Sequence, residues 1–466
     1  MFTSRIVCAL FCCGSWGLAL AQGVTLPATE RVVLENGTVL ILNEKPDVPM
    51  IGVQAVLRGG AVADPDGKSG LASLFAALIE KGAGERDSAA FAEAIDAVGG
   101  SLSARAGLEG ITISGDFLAR DVDLMLQLLA DMLMRPSLKR AELDKLRARS
   151  INFILAAKDS NPGDLMPIYA GGFLFGDHPY GNSVAGNETS LAAISHRDVL
   201  RYYEQQVGGD RLIISVSGYF DAADMRDRLT AAFADWRAAS GEMAEVAALE
   251  LQTGRRVLLI DKPGATQTYF WIGNVGVARN YEHRPDLDIA NTVFGGRFTS
   301  MLNTALRIES GLTYGASSRL LRPSKPGSIG ISSYTATDTT VEAIDMALGI
   351  LGQLRDTGIA EDMISSARNY VLGQFPMRLE TATQLAAQFA VLEAYGLTNS
   401  YIDDYGAAIS AVTVESITAV IDAVYPQHDD LVFVLLGDAA SIRETAANYG
   451  PMTEMSITEP RFRPSQ

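Results

Sequence analysis

Two stretches of this chain repeat one another in pattern, and that repetition limits the fold more than any other feature. In each, a helical segment (His196–Gln206; Val414–Val424) leads to an apolar β-rich run (residues 212–217; residues 431–436). A glycine (Gly218; Gly437) and a last helix follow. Each half also opens with strand-like alternation, over residues 32–42 in the first and over 257–260 and 268–272 in the second. A unit that recurs at this scale predicts a duplicated α+β fold, two homologous domains in which helices pack on a mostly antiparallel sheet. The seam is expected in the small-residue-rich, acidic stretch AASGEMAEVAALELQTG at 238–254. The domains are therefore placed at 22–240 and 255–466, joined by a linker at 241–254.

The first 21 residues read differently from the rest. Arg5 precedes an apolar run from Ile6 to Leu20, and Ala19-Leu20-Ala21 has the small-x-small form of a signal-peptidase site. Cleavage after Ala21 would export the chain, to the periplasm in a Gram-negative source. An uncleaved anchor is the alternative, although the run is shorter than the roughly 18 residues that span a bilayer. A lipoprotein signal fits poorly, since Leu10-Phe11 precede Cys12 where small residues are needed. Cys8, Cys12 and Cys13 all lie in this segment, so the mature chain would carry neither disulfides nor thiolate metal sites. The net charge of -17 repels phosphate backbones and anionic lipid, which makes nucleic acid and membrane surfaces unlike its partners.

Within the first half, Leu71, Leu74, Phe75, Leu78 and Ile79 recur at helical spacing and predict one buried face, stopped by Gly82 and Gly84. A second helix capped by Ser88 should follow over 88–98, then a strand over 108–117 and helices over 121–134 and 140–158.

Three landmarks give the sequence a family likeness: Gly70-Leu71-Ala72 opening a helix that ends Glu80-Lys81-Gly82, the run Gly176-Asp177-His178-Pro179-Tyr180-Gly181, and Gly295-Gly296 before an Arg-containing helix. The chain resembles the insulinase and pitrilysin zinc peptidases, whose twofold-repeated halves match nearly the whole mature sequence. In active members the first helix carries His-x-x-Glu-His, two imidazoles one turn apart on one face with a general-base carboxylate between them. Here those positions are Ser73, Ala76 and Ala77. The family's third ligand, a Glu about 77 residues further on, falls near Ile154. None of the four side chains can bind zinc or move a proton, so no metal ligand is assigned. The histidines His178, His196, His283 and His428 lack a second His at ligand spacing. His178-Pro179-Tyr180 and Gln267 read as structural.

The second half keeps more of the pattern. The run from Phe294 through Gly295, Gly296, Arg297, Phe298 and on to Arg307 reads as a glycine turn and an amphipathic helix with Met301, Leu302, Ala305 and Leu306 on its apolar face. Gly311 then stops the helix and a strand holds Tyr314. In the resembled family an Arg and a Tyr seven positions apart reach from the C-terminal half to the zinc site, the spacing of Arg307 and Tyr314. Such a pair can donate hydrogen bonds to the negative charge that develops on an attacked peptide carbonyl. The resemblance thus implies catalytic roles for Arg307 and Tyr314 and substrate contact at Gly295 and Gly296. It also implies no cofactor in this chain, with zinc held by a homologous partner subunit as in mitochondrial processing peptidase. The expected function is the non-zinc subunit of a heterodimeric peptidase acting on peptides or unfolded proteins. The alternative is an inert scaffold or peptide-binding protein of the same fold.

Overall fold

The computed structural model describes residues 24–249 and 251–464. The expected signal peptide at 1–21, with its three cysteines, lies outside the described residues. Among them, no single helix is long and apolar enough to cross a membrane.

Two six-stranded sheets form the framework, and their strand orders match position for position. The first runs Glu30–Val33, Val39–Glu44, Leu212–Gly218, Met50–Arg58, Gly110–Leu118, Ser101–Ala106. The second runs Met452–Ser456, Arg256–Asp261, Val432–Gly437, Gln267–Val275, Ser328–Ala336, Ala316–Leu321. Most neighbours are antiparallel, and the strand from the end of each repeat (Leu212–Gly218; Val432–Gly437) inserts parallel to an early strand of that repeat (Val39–Glu44; Arg256–Asp261). The duplicated α+β architecture is therefore present. One edge differs between the copies: Glu30–Val33 pairs antiparallel with its neighbour, whereas its counterpart Met452–Ser456 comes from the far end of the chain and pairs parallel.

Residues 32–42 depart from the expected single alternating segment and form a hairpin. Leu34 and Thr38 close its turn (Leu34 N–H to Thr38 C=O, 2.9 Å), and the Asn36 side chain accepts the Thr38 N–H at 3.1 Å. Asn-Gly at 36–37 is a strong turn signal, and it breaks the strand in two. The second helix is capped by Asp87, which accepts from Ala89 and Ala90, and not by Ser88. The first helix ends at Ile79, before Gly82 and Gly84; Gly82–Ala83 instead pairs with Arg86–Asp87.

The continuous apolar runs at 212–217 and 431–436 are explained by burial on both faces of each sheet. One face of the first sheet is covered by helices of its own half. The other, presenting Val39, Ile41, Val56 and Ile213, is covered by Leu385, Phe389 and Leu392 of the Ala382–Ala394 helix, which belongs to the second half. The exchange is reciprocal. Met166–Phe175 of the first half lies on the second sheet, in a core shared with Leu258, Trp271, Val434 and Leu436. Gly52 permits the first of these contacts: a Cβ there would overlap the Thr383 backbone. The C-terminal tail returns to the first half, where Phe462 meets Tyr169 edge-on at 5.1 Å and the buried Lys158 ammonium binds Glu188 (2.6 Å) and the Glu459 carbonyl (2.5 Å).

Candidate functional site

The helix Leu71–Ile79 begins at Gly70 with no capping side chain of its own. Asp64 takes that role from upstream, accepting the N–H groups of Gly70 and Ala72 at 2.8 Å each. Desolvation raises its carboxyl to about 7, against the opposing pull of the backbone donors at the helix start. Leu71, Leu74, Phe75, Leu78 and Ile79 are buried as the periodicity predicts, with the Phe75 ring 5.4 Å from that of Tyr202. Ala76 is 1% exposed, and Ser73 and Ala77 are half-buried. The helix packs on Arg140–Ser160, where Ile154 is also buried. Small and apolar side chains thus fill the place where a metal would need two imidazoles and a carboxylate. This donor set does not fit zinc. Among the described residues, no three His, Cys, Asp or Glu side chains gather into a possible ligand group.

The second-half segment is built otherwise. Ser300 caps a single α-helical turn, Met301–Asn303, and the helix then widens to π geometry over Thr304–Glu309. The expected amphipathic helix is therefore short and irregular, though Leu302 and Leu306 are buried as its apolar face. A second π-helical turn, Thr292–Gly296, ends the preceding helix Arg284–Asn291. Single π turns of this kind re-aim side chains and gather at functional sites.

The chain then folds back on itself. Thr313 N–H donates to the Leu306 carbonyl at 3.2 Å, so Arg307 and Tyr314 each sit one residue from a bridged pair. Hydroxyls of the neighbouring strand Ser328–Ala336 pin this loop: Thr335 Oγ1 donates to the Leu312 carbonyl at 2.8 Å and Ser333 Oγ to that of Gly315 at 2.9 Å. Tyr314 lies on the pinned loop, ahead of the strand Ala316–Leu321 and not within it. Its side chain is 79% exposed. Arg307 is exposed as well, with its guanidinium 4.8 Å from the centre of the Phe298 ring. Among the described residues neither side chain has a hydrogen-bond or ion-pair partner. Fixed backbone beneath free donors is an arrangement that presents hydrogen bonds outward.

Gly295 is buried, and a Cβ on it would overlap the backbone of Ser318. It lets the π turn lie directly on the strand Ala316–Leu321. Gly296 is exposed at the wall of a cavity of about 540 Å³ that Arg319 and Tyr370 also line. His178 and Tyr180 act as a brace: the His178 ring accepts the Tyr180 N–H (3.1 Å) and meets the Ala247 carbonyl of the inter-half segment (3.0 Å). Gln267 starts a strand and accepts from the Tyr269 hydroxyl at 3.0 Å. Phe298, which stacks on Arg307, was not singled out from the sequence. Its signal was an aromatic on a polar stretch just after a glycine turn.

Known proteins match this architecture along most of its length. Residues 39–187 match the insulinase family, peptidase family M16, and residues 193–371 match the peptidase M16 inactive domain. An uncharacterized zinc protease of Streptomyces coelicolor is 24% identical over 416 residues, 87% of this chain and 88% of that protein. The non-peptidase homolog YmxG of Helicobacter pylori is 23% identical over 360 residues, 76% of this chain and 81% of that one. The fold is similar to that of a peptidase M16 inactive domain from Pseudomonas fluorescens, with a TM-score of 0.81, 19% identity, and coverage of 88% of this chain and 98% of that one. With the first helix and the returning loop in the places described, the chain belongs to the insulinase family, peptidase family M16, as a member whose zinc-binding side chains are replaced.

Proposed function

We propose that this chain is the zinc-free subunit of a heterodimeric peptidase, exported to the periplasm, whose homologous partner holds the metal and the general base. Arg307 and Tyr314 act in trans. They donate hydrogen bonds to the carbonyl oxygen of a peptide as it gains negative charge, while the partner's site delivers water. The observation that carries this reading is the pinned loop: its backbone is fixed by Ser333 and Thr335, yet both side chains are exposed and, among the described residues, without hydrogen-bond or ion-pair partners. The side chains at Ser73, Ala76, Ala77 and Ile154 support the division of labour, since these four offer zinc no suitable donor set.

The test is reconstitution with a homologous chain from the same source that carries His-x-x-Glu-His. Each chain alone should cleave unfolded peptide slowly or not at all, and the mixture should gain activity together with a stable complex. A complex that forms but is indifferent to replacement of Arg307 and Tyr314 would identify an inert scaffold instead.

A further inference from the structure

The hairpins Ser101–Ala106/Gly110–Leu118 and Ala316–Leu321/Ser328–Ala336 hold equivalent positions in the two sheets, and their tips meet at the seam between the halves. Glu109 at one tip accepts the N–H of Ser324 at the other (3.1 and 2.9 Å to its two oxygens) and the hydroxyls of Ser324 and of Tyr180, the latter at 2.6 Å. Beside this clasp lies a cavity of about 520 Å³, within the roughly 300–1,000 Å³ of small-ligand sites.

Its charge is unlike that of the molecule. In a chain of net charge -17, the lining holds Arg58, Arg279, Arg322 and Lys325 against one carboxylate, Glu109, which is already committed to the clasp. Arg279 lies over the Tyr395 ring at 4.1 Å and, among the described residues, pairs with no carboxylate. Arg58 approaches Glu393 at 4.0 Å, but Glu393 is held by two hydrogen bonds from Arg31 at 2.8 and 2.9 Å. Arg322 meets Asp288 at 2.8 Å through one nitrogen, Nη2. The protein pairs these cations incompletely: Nε of Arg58, Nε of Arg279 and Nη1 of Arg322 are enclosed by neighbouring atoms and have no hydrogen-bond partner. Incompletely paired guanidinium groups at one pocket favour a carboxylate, because their charge is uncompensated and their planar forks match its two oxygens. The other walls are apolar, formed by Val56, Leu108, Val246, Leu321 and Val391.

We infer that this seam pocket binds a carboxylate carried on an apolar group, as at the C-terminus of a peptide that ends in a hydrophobic residue. The ligand bridges the halves, since Arg58 comes from the first and Arg279 and Arg322 from the second. Neither zinc nor a partner chain enters the argument, so this site stands or falls separately from the trans role of Arg307 and Tyr314.

Calorimetric titration of the purified full chain tests it with four probes: acetyl-Ala-Ala-Leu as free acid, the same peptide as its C-terminal amide, octanoate, and inorganic phosphate. The free acid should bind at least about tenfold more tightly than the amide, and Arg279→Gln should weaken the acid by a similar factor while leaving the amide unchanged. Lys325→Gln, at an exposed position that folding does not need, should weaken the acid a few-fold and carries the test if Arg279→Gln misfolds. Octanoate binding as tightly as the peptide acid would keep the pocket's chemistry and make its source a fatty acid. Equal binding of acid and amide, binding of neither, or phosphate as tight as the peptide acid would overturn the proposal.

Discussion

The helix Leu71–Ile79 and the loop from Arg307 to Tyr314 carry the two sides of the proposed division of labour, and they are built in opposite ways. In the first, Ala76 and Ile154 are buried, Ser73 and Ala77 are half-buried, and the Ser73 hydroxyl is the one polar group among the four side chains. In the second, the polar side chains stay exposed on a backbone held by hydroxyl hydrogen bonds. Tyr314, 79% exposed on that fixed loop, is open to a partner, as the proposed trans role requires.

The comparison can be broken at its buried end first. Ala76→Glu, which restores a carboxylate where the general base would stand, should cost about 3 kcal/mol or more, because it overfills a packed site and strands a charge there. Tyr314→Ala should cost within about 0.5 kcal/mol by the same urea denaturation. Similar losses at both positions would remove the contrast. Next in size is turnover: Arg307→Gln should slow peptide hydrolysis by the reconstituted complex about a hundredfold while the complex still forms, read from kcat beside size-exclusion profiles.

A third test concerns how the first helix is held. The Asp64 carboxyl is raised from its ordinary 3.8 to about 7, so between those values the folded chain binds more protons than the unfolded one. Stability that Asp64 supplies below about pH 4 is therefore lost as the pH rises towards about 7, with a slope of up to about 1.4 kcal/mol per pH unit. Denaturation across that window should show the decline in the native chain and a flatter profile in Asp64→Asn. The smallest effect is expected at Phe298. Removing the ring under Arg307 forfeits about 0.5–1 kcal/mol of cation-π attraction, so Phe298→Ala should reduce turnover of the complex a few-fold while lowering stability by no more than about that amount.

Much of the architecture could be read from residue order alone. Helices at His196–Gln206 and Val414–Val424 stand where their periodicity places them, and the repeated run after each is an all-buried strand. Periodicity shows that a face is buried but is silent on what covers it. For that reason the exchange of Met166–Phe175 and Ala382–Ala394 between the halves was not visible, nor was the strand Met452–Ser456 completing the second sheet. The loop carrying Tyr314 resembled a strand because Thr and Tyr favour extended backbone, but the hydroxyl bonds from Ser333 and Thr335 that hold it out of the ladder come from residues distant in sequence. Arg307 and Tyr314 were singled out through the family resemblance, from a spacing within one segment. Arg58, Arg279 and Arg322 come together only when two hairpin tips meet, and no local pattern announces them.

The crossed helices set a condition on how the molecule is made. Until residues 382–394 are in place, the Val39, Ile41, Val56 and Ile213 face of the first sheet lacks the helix that covers it, so the amino-terminal half on its own is an unfinished, sticky intermediate. Completion of the two halves is consequently simultaneous and late. A polypeptide truncated between Gly218 and Ala382 should aggregate, even though it contains every strand of the first sheet.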